Sequence, residues 1–210
     1  MNGNNDESLI RDGETAIDFI LFETERLYVR EFNIDDVDAV YSYAGDAENT
    51  VFMDWGPESR EDVEGFIHSR LAHQITSPRK VFDLAVCLKK TGELIGAVGL
   101  YLTDDLLQGE LGYLFNKRFW KNGYAAEAAR GMLRFGFLCL DIHRIYAKCD
   151  SENRSSEGVM KRIGMRREGE MRSSCHTRVR GRLQWRSIKY YAMLRREYLK
   201  ALVESEAEAD

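Results

Sequence analysis

Apolar and polar residues alternate through Arg26-Leu27-Tyr28-Val29-Arg30-Glu31-Phe32, the period of a strand with one buried face. Behind it, Asn33 and Asp36 mark a helix start. Asparagine accepts from free first-turn amides, and acids there meet the positive end of the helix dipole. The spacing predicts that this helix runs to about Ala44, with Ile34, Val37, Val40 and Tyr41 on its inner face. A second helix is expected after Pro57, burying Val63, Phe66, Ile67 and Leu71. Two strands, Val81–Leu88 and Leu94–Leu102, then flank Lys90-Thr91-Gly92, whose glycine can take the positive φ of a hairpin turn. Glu110–Phe115, preceded by Gly109, reads as a third consecutive strand. From Ala125 to Cys139 the period lengthens to that of a helix, with Ala129, Met132, Leu133 and Gly136 recurring on one face. His143–Cys149 is strand-like again. A short helix from Ser155 to Ile163 ends at Gly164, a residue suited to a left-handed stop. Strands near Arg166–Arg172 and Trp185–Leu194 close the pattern.

Three strands in meander order, set among helices, predict an α+β fold on a mixed sheet rather than a doubly wound one. The 210 residues, 44% of them hydrophobic, suffice for one core, and no linker or repeat interrupts the middle. We expect a single domain over residues 21–200, an acidic, disordered N-terminal tail over 1–20 and an acidic C-terminal tail over 201–210. The net charge of −5 is uneven, since residues 1–18 and 203–210 each sum to −4 and leave the body basic. Residues 161–196 hold twelve Lys/Arg against Glu168 and Glu170. Such a run reads as a solvated face or as a surface for a phosphate-bearing ligand, an acidic partner or nucleic acid. Nucleic acid is disfavoured because aromatic interleaving is lacking. Four cysteines without a CxxC pair suggest reduced thiols and no metal. No run is long and apolar enough to cross a bilayer and the first residues do not resemble a leader, so a cytoplasmic protein is expected.

The segment from Gly109 to Ala128 is the most informative. A strand runs into a basic loop carrying Lys117, Arg118 and Lys121, and a helix opens at Gly123. Unpaired amides at a helix start, backed by its dipole, suit a pyrophosphate, and small residues at Gly123 and Ala125 leave room for it. Trp120-Lys-Asn-Gly-Tyr-Ala-Ala-Glu-Ala resembles the coenzyme A loop of the GNAT acetyltransferases, in particular their ribosomal-protein N-terminal acetyltransferase (Rim) group. Glu23-Thr-Glu-Arg-Leu-Tyr-Val-Arg-Glu-Phe, the segment from Asn153 to Met165, and Tyr191-Ala-Met-Leu-Arg-Arg-Glu-Tyr resemble further segments of that group in the same order. The similarity spans about residues 22–200.

This resemblance implies a GNAT-like, mostly antiparallel twisted sheet whose two central strands, about 110–115 and 144–150, splay apart and are flanked by helices. Pantetheine would enter that wedge and pair with backbone near Leu114 and Phe115. Arg118, Lys121, Asn122, Gly123, Tyr124, Ala125 and Asn153 would complete the coenzyme A site. Acetyl-CoA would be the co-substrate and a protein N-terminus or small amine the acceptor. The chain also departs from the pattern. Lys121 stands where glycine is usual, Met160 where many members carry a tyrosine acid, and Cys175 near where the Rim group often has a glutamate base.

Amine attack on a thioester needs a neutral amine, oxyanion donors and a proton for the thiolate. With Met160 unable to donate, Ser156 is the family-matched acid; its plain alternative is a first-turn helix residue beside the cap Asn153. Glu110, on the splayed strand, could drain the amine's proton through water or be an ordinary strand carboxylate. His176 could serve as base or be a surface histidine. Tyr113 and Trp55 are candidates for the acceptor pocket, and Tyr191 for core or pocket lining. A catalytically silent acyl-CoA sensor is the rival reading. A monomer and a homodimer are equally compatible with the sequence.

Overall fold

A computed structural model of the chain describes residues 20–179 and 182–207. The elements run β1 (Ile20–Glu23), β2 (Leu27–Arg30), a 3-10 turn (Ile34–Asp36), α1 (Val37–Ala44), α2 (Arg60–Gln74), β3 (Val81–Leu88), β4 (Leu94–Leu102) and β5 (Gln108–Phe115). After a second 3-10 turn (Lys117–Phe119) come α3 (Tyr124–Leu138), β6 (Arg144–Asp150), α4 (Arg154–Arg162), β7 (Arg166–Val179), β8 (Arg182–Leu194) and α5 (Arg195–Ala207). The strands form one sheet in the order β1-β2-β3-β4-β5-β6-β8-β7. Every neighbouring pair is antiparallel except β5–β6, which is parallel.

The sheet carries apolar residues on both faces. Alternation sends Leu84, Val98, Leu111, Ile145 and Tyr191 to one face, where Met132, Leu133 and Phe137 of α3 and Val159 and Met160 of α4 close a core. Ala85 and Phe32 pack on the other face against Val37, Val40 and Tyr43 of α1 and Val63 and Ile67 of α2. Met160 is fully buried, so the residue standing where a tyrosine was expected fills the core.

The structure corrects the sequence reading at four points. The first helix begins with three residues of 3-10 turn, whose tighter winding shifts the phase of the stripe. Ile34 is therefore exposed, and within α1 itself Tyr43 is buried with Val37 and Val40 while Tyr41 is exposed. A four-residue strand, β1, precedes the first one expected. Strand β7 extends far beyond Arg172, pairing with β8 from Cys175↔Arg186 to Val179↔Arg182 after a register shift past Met171. The expected acidic C-terminal tail is a helix as far as Ala207, held where Tyr198 packs 5.1 Å from the Phe137 ring and Arg195 Nε donates to the Phe137 carbonyl at 3.0 Å. The expected N-terminal tail lies outside the described residues as far as residue 19.

Candidate active site

The β5–β6 ladder has three rungs, Gln108↔Arg144, Gly109↔Ile145 and Glu110↔Tyr146. Beyond them β5 continues to Phe115 and β6 to Asp150 without pairing to each other, so the two strands open into a wedge. On its far sides β5 stays paired to β4 up to Gly96↔Phe115, and β6 to β8 up to Asp150↔Ile188. Two well-anchored strands thus leave unpaired backbone facing a gap, which requires an occupant or water.

The end of β5 leads into the loop before α3, and buried polar groups fix that exit. Asn49 Nδ2 donates to the Phe115 carbonyl at 2.7 Å, while Asn49 Oδ1 accepts from the Lys117 amide at 2.9 Å. Trp120 Nε1 donates to the same Phe115 carbonyl at 2.7 Å. That carbonyl, expected to meet pantetheine, is already engaged by two donors of the chain. Lys117, expected to attract phosphate, is held by Asp46 at 2.8 Å and Glu48 at 3.0 Å.

Two residues of the loop have positive φ, Lys121 at 65° and Gly123 at 82°. Glycine is free in this region, whereas lysine is disfavoured there by its Cβ. Helix α3 starts at Tyr124, and its first in-chain bond is Glu127 N–H to the Gly123 carbonyl at 3.0 Å. The amides of Tyr124, Ala125 and Ala126 precede that bond and point out of the helix end. Asn122 Nδ2 reaches the Phe119 and Trp120 carbonyls at 3.2 and 3.1 Å and shapes the turn. Arg118 is exposed, 3.6 Å from Glu93.

Sequence reading missed the clamp behind this loop. Arg26 Nε donates to Glu127 Oε2 at 2.7 Å, Arg26 Nη1 to the Asn122 carbonyl at 3.0 Å, and its guanidinium lies 4.5 Å from the Tyr124 ring centre. Glu127 also accepts from the Arg26 amide and the Thr24 hydroxyl. The separation of about a hundred residues along the chain hid this tie.

At the floor of the wedge, Tyr113 Oη lies 2.9 Å from both Ser156 Oγ and the Ser156 carbonyl. Tyr113 and Ser156, expected in different roles, are thus joined directly. Asn153 is the N-cap of α4, with its Oδ1 accepting from the Ser156 amide at 3.0 Å, so capping does not use the Ser156 hydroxyl. Burial pushes the Tyr113 phenol above its ordinary range. Burial likewise pushes the Cys149 thiol, on the α3–α4 face of β6, up to about 11.

On the opposite face, Lys148 Nζ lies 3.1 Å from both carboxylate oxygens of Glu110. Trp55 is 38% exposed on the α1–α2 connection, whose Phe52 ring lies 5.8 Å from the Arg186 guanidinium of β8. Leu114 packs toward α1 and α2. His176 lies on β7 opposite Trp185, with the rings 5.3 Å apart on an exposed part of the hairpin. Tyr191 is core, and its hydroxyl donates to Glu157 Oε1 at 2.7 Å. Much of the basic 161–196 surface is tied up locally, as in Arg167–Glu170, Arg186–Asp150 and Lys189–Glu157. No helix among the described residues is long and apolar enough to cross a membrane.

This geometry agrees with what comparison with known proteins finds. Residues 26–166 match the acetyltransferase (GNAT) domain family. An uncharacterised N-acetyltransferase of Bacillus subtilis, YnaD, is 34% identical over 175 residues, covering 83% of this chain and 97% of that protein. Two solved structures share the fold. RimL, a ribosomal L7/L12 alpha-N-protein acetyltransferase in complex with coenzyme A, has a TM-score of 0.72 at 18% identity, covering 83% of this chain and 97% of that one. Spermidine N-acetyltransferase from Vibrio cholerae, in complex with coenzyme A and spermine, has a TM-score of 0.70 at 19% identity, covering 82% and 98%. With an opened β5–β6 pair leading into an amide-rich helix start, and a family match across most of its length, the chain belongs to the GNAT acetyltransferases and is an N-acetyltransferase.

Proposed function

We propose that the chain transfers the acetyl group of acetyl-CoA to a primary amine, a protein N-terminus or a small amine, by direct attack in a ternary complex in the cytoplasm. One observation supports this above the others: β5 and β6 lose their pairing after Glu110↔Tyr146, and the freed edge of β5 runs into the turn before α3. A long, thin co-substrate with a pyrophosphate at one end suits that shape. In this reading the amides of Gly123, Tyr124 and Ala125, with Lys121 and Arg118 nearby, take the pyrophosphate. Asn122 shapes their turn, and Asn153 holds the start of α4. Leu114 offers backbone to pantetheine, and the Phe115 side chain offers packing.

The amine nitrogen attacks the thioester carbon, the C–S bond breaks, and the thiolate takes the proton of Ser156 Oγ, which Tyr113 orients and which regains a proton from water as the thiolate takes its own. The attacking nitrogen loses its proton through water toward Glu110, on the side where Trp55 walls the acceptor. A buried Cys149 thiol held up to about 11 is a poor nucleophile, which favours direct transfer over an acyl-enzyme. Four free thiols fit a reducing compartment.

A ligand that binds only the native state raises stability by about 2.7 kcal/mol at roughly a hundredfold excess over its Kd. Acetyl-CoA should therefore raise the Tm, and thiol release should follow on adding N-terminal peptides or small amines. A Tm unmoved by millimolar acetyl-CoA would overturn the reading. Stabilisation without thiol release on any amine would overturn acetyl transfer to an amine.

A further inference from the structure

We infer that Lys148 is a specificity-determining residue that closes the acceptor side to polyamines and selects an amine with no second cation, such as a peptide N-terminus. The inference rests on the acetyl-transfer reading and names the acceptor class for that site. Alternation along β5 and β6 turns Leu111, Ala147 and Cys149 toward α3 and α4. Glu110, Lys148 and Asp150 therefore face the other side of the sheet. There Lys148, two residues past the last rung Glu110↔Tyr146, has its Nζ 3.1 Å from each oxygen of Glu110. This is the position a substrate ammonium would take to meet that carboxylate, and a cation of the chain already holds it.

The same holds for the other strand carboxylates of this face. Asp150 accepts from Arg186 at 2.8 Å, and Asp83 from Arg70 at 2.9 Å. A polyamine keeps one or more ammonium groups charged while its reacting nitrogen is neutral. Those charges need uncompensated carboxylates, and on the strands of this face they would meet Lys148 and Arg186 instead. Like charges brought together on a partly desolvated surface discriminate strongly against a ligand. A peptide N-terminus loses its single charge on becoming reactive and brings no such conflict. The Lys148 side chain is 48% exposed, so removing its charge should leave the fold intact while freeing Glu110.

The test compares kcat/KM for a neutral N-terminal peptide and for spermidine, with acetyl-CoA saturating, in the wild type, Lys148→Met and Lys148→Met/Glu110→Gln. The wild type should prefer the peptide by about tenfold or more. Lys148→Met should shift that ratio toward spermidine by about tenfold through a gain on spermidine, and the double variant, whose lost carboxylate lowers both rates, should return the ratio to the wild-type value. A wild type that uses spermidine as well as the peptide, or a folded Lys148→Met variant with an unchanged ratio, would overturn the inference and leave acetyl transfer standing. Acetyl-CoA binding without acetylation of either amine by the wild type would overturn the inference by excluding both acceptor classes, while turnover of any other amine would keep the transfer reading.

Discussion

The Tyr113 phenol and the Ser156 hydroxyl meet at 2.9 Å across the floor of the β5–β6 wedge. A carbonyl can only accept, so when Tyr113 donates to the Ser156 carbonyl its own oxygen is left to accept from Ser156 Oγ–H. Burial keeps the phenol protonated, and the pair holds a proton that can turn toward a forming thiolate. Because Asn153 supplies the cap of α4, Ser156→Ala removes the hydroxyl without uncapping the helix.

Ser156→Ala should therefore lower kcat by about 10²-fold, the scale of one lost positioned acid, with little change in affinity for coenzyme A. Tyr113→Phe should lower kcat less, because Ser156 keeps its own proton, and should cost about 1 kcal/mol of stability from the lost hydrogen bond. Steady-state kinetics and thermal melts on both variants check this. A Ser156→Ala enzyme with the wild-type kcat would assign thiolate protonation to water.

The loop before α3, read here as the coenzyme A loop, gives a prediction that separates backbone from charge. At Gly123 an added Cβ would combine a φ of 82° with a contact 3.4 Å from Arg26 Nη2. Gly123→Val should weaken coenzyme A binding sharply while circular dichroism shows a folded protein. Lys121 carries the same backbone demand, at 65°, with a side chain ill suited to it. Lys121→Gly should raise stability by about 1 kcal/mol by relieving that conformation. Lys121→Ala should not. Both should weaken binding of coenzyme A by about 1 kcal/mol at low salt, an effect that fades at high salt as screening removes the charge contact. Thermal melts read the backbone contribution, and titration calorimetry at two ionic strengths reads the charge contribution.

The fold was legible wherever local periodicity decided the element. Strands β3 and β4 fall on the expected residues because hairpin chemistry at Lys90-Thr91-Gly92 bounds them, and Gly92 takes the positive φ of 75° expected there. The α4 stop at Gly164, with φ of 85°, was legible for the same reason. Positions whose partners are remote in sequence were not. Strand β1 is too short to show a period, and α5 carries acids that read as a tail until Tyr198 is seen against Phe137. In the candidate site, the turn at Gly123 and the helix start behind it were legible from local pattern. The partners that hold them could not, because Arg26 with Glu127, Tyr113 with Ser156 and Lys148 with Glu110 come together only through the sheet.

The Arg26–Glu127 clamp leads to a prediction about pH. Burial acts to raise the Glu127 pKa, but the Thr24 hydroxyl, the Arg26 amide and its guanidinium outweigh it and hold the carboxyl below its ordinary 4.5. A group whose pKa is lowered on folding stabilises the native state above its unfolded value, and that contribution is lost as pH falls through the folded value. Stability from the clamp should be complete at neutral pH and should decline in acid from about pH 4.5 downward. Coenzyme A affinity should fall with it, because the same carboxylate holds Arg26 over Tyr124 and against the Asn122 carbonyl. Glu127→Gln keeps the size and removes the charge. It should cost about 2 kcal/mol, the scale of a hydrogen-bonded ionic group lost from a partly buried site. It should weaken coenzyme A binding at pH 7 and flatten the acid limb of the stability profile. A Glu127→Gln protein with an unchanged acid limb and unchanged affinity would mean that the turn before α3 holds its shape through Asn122 and Trp120 alone.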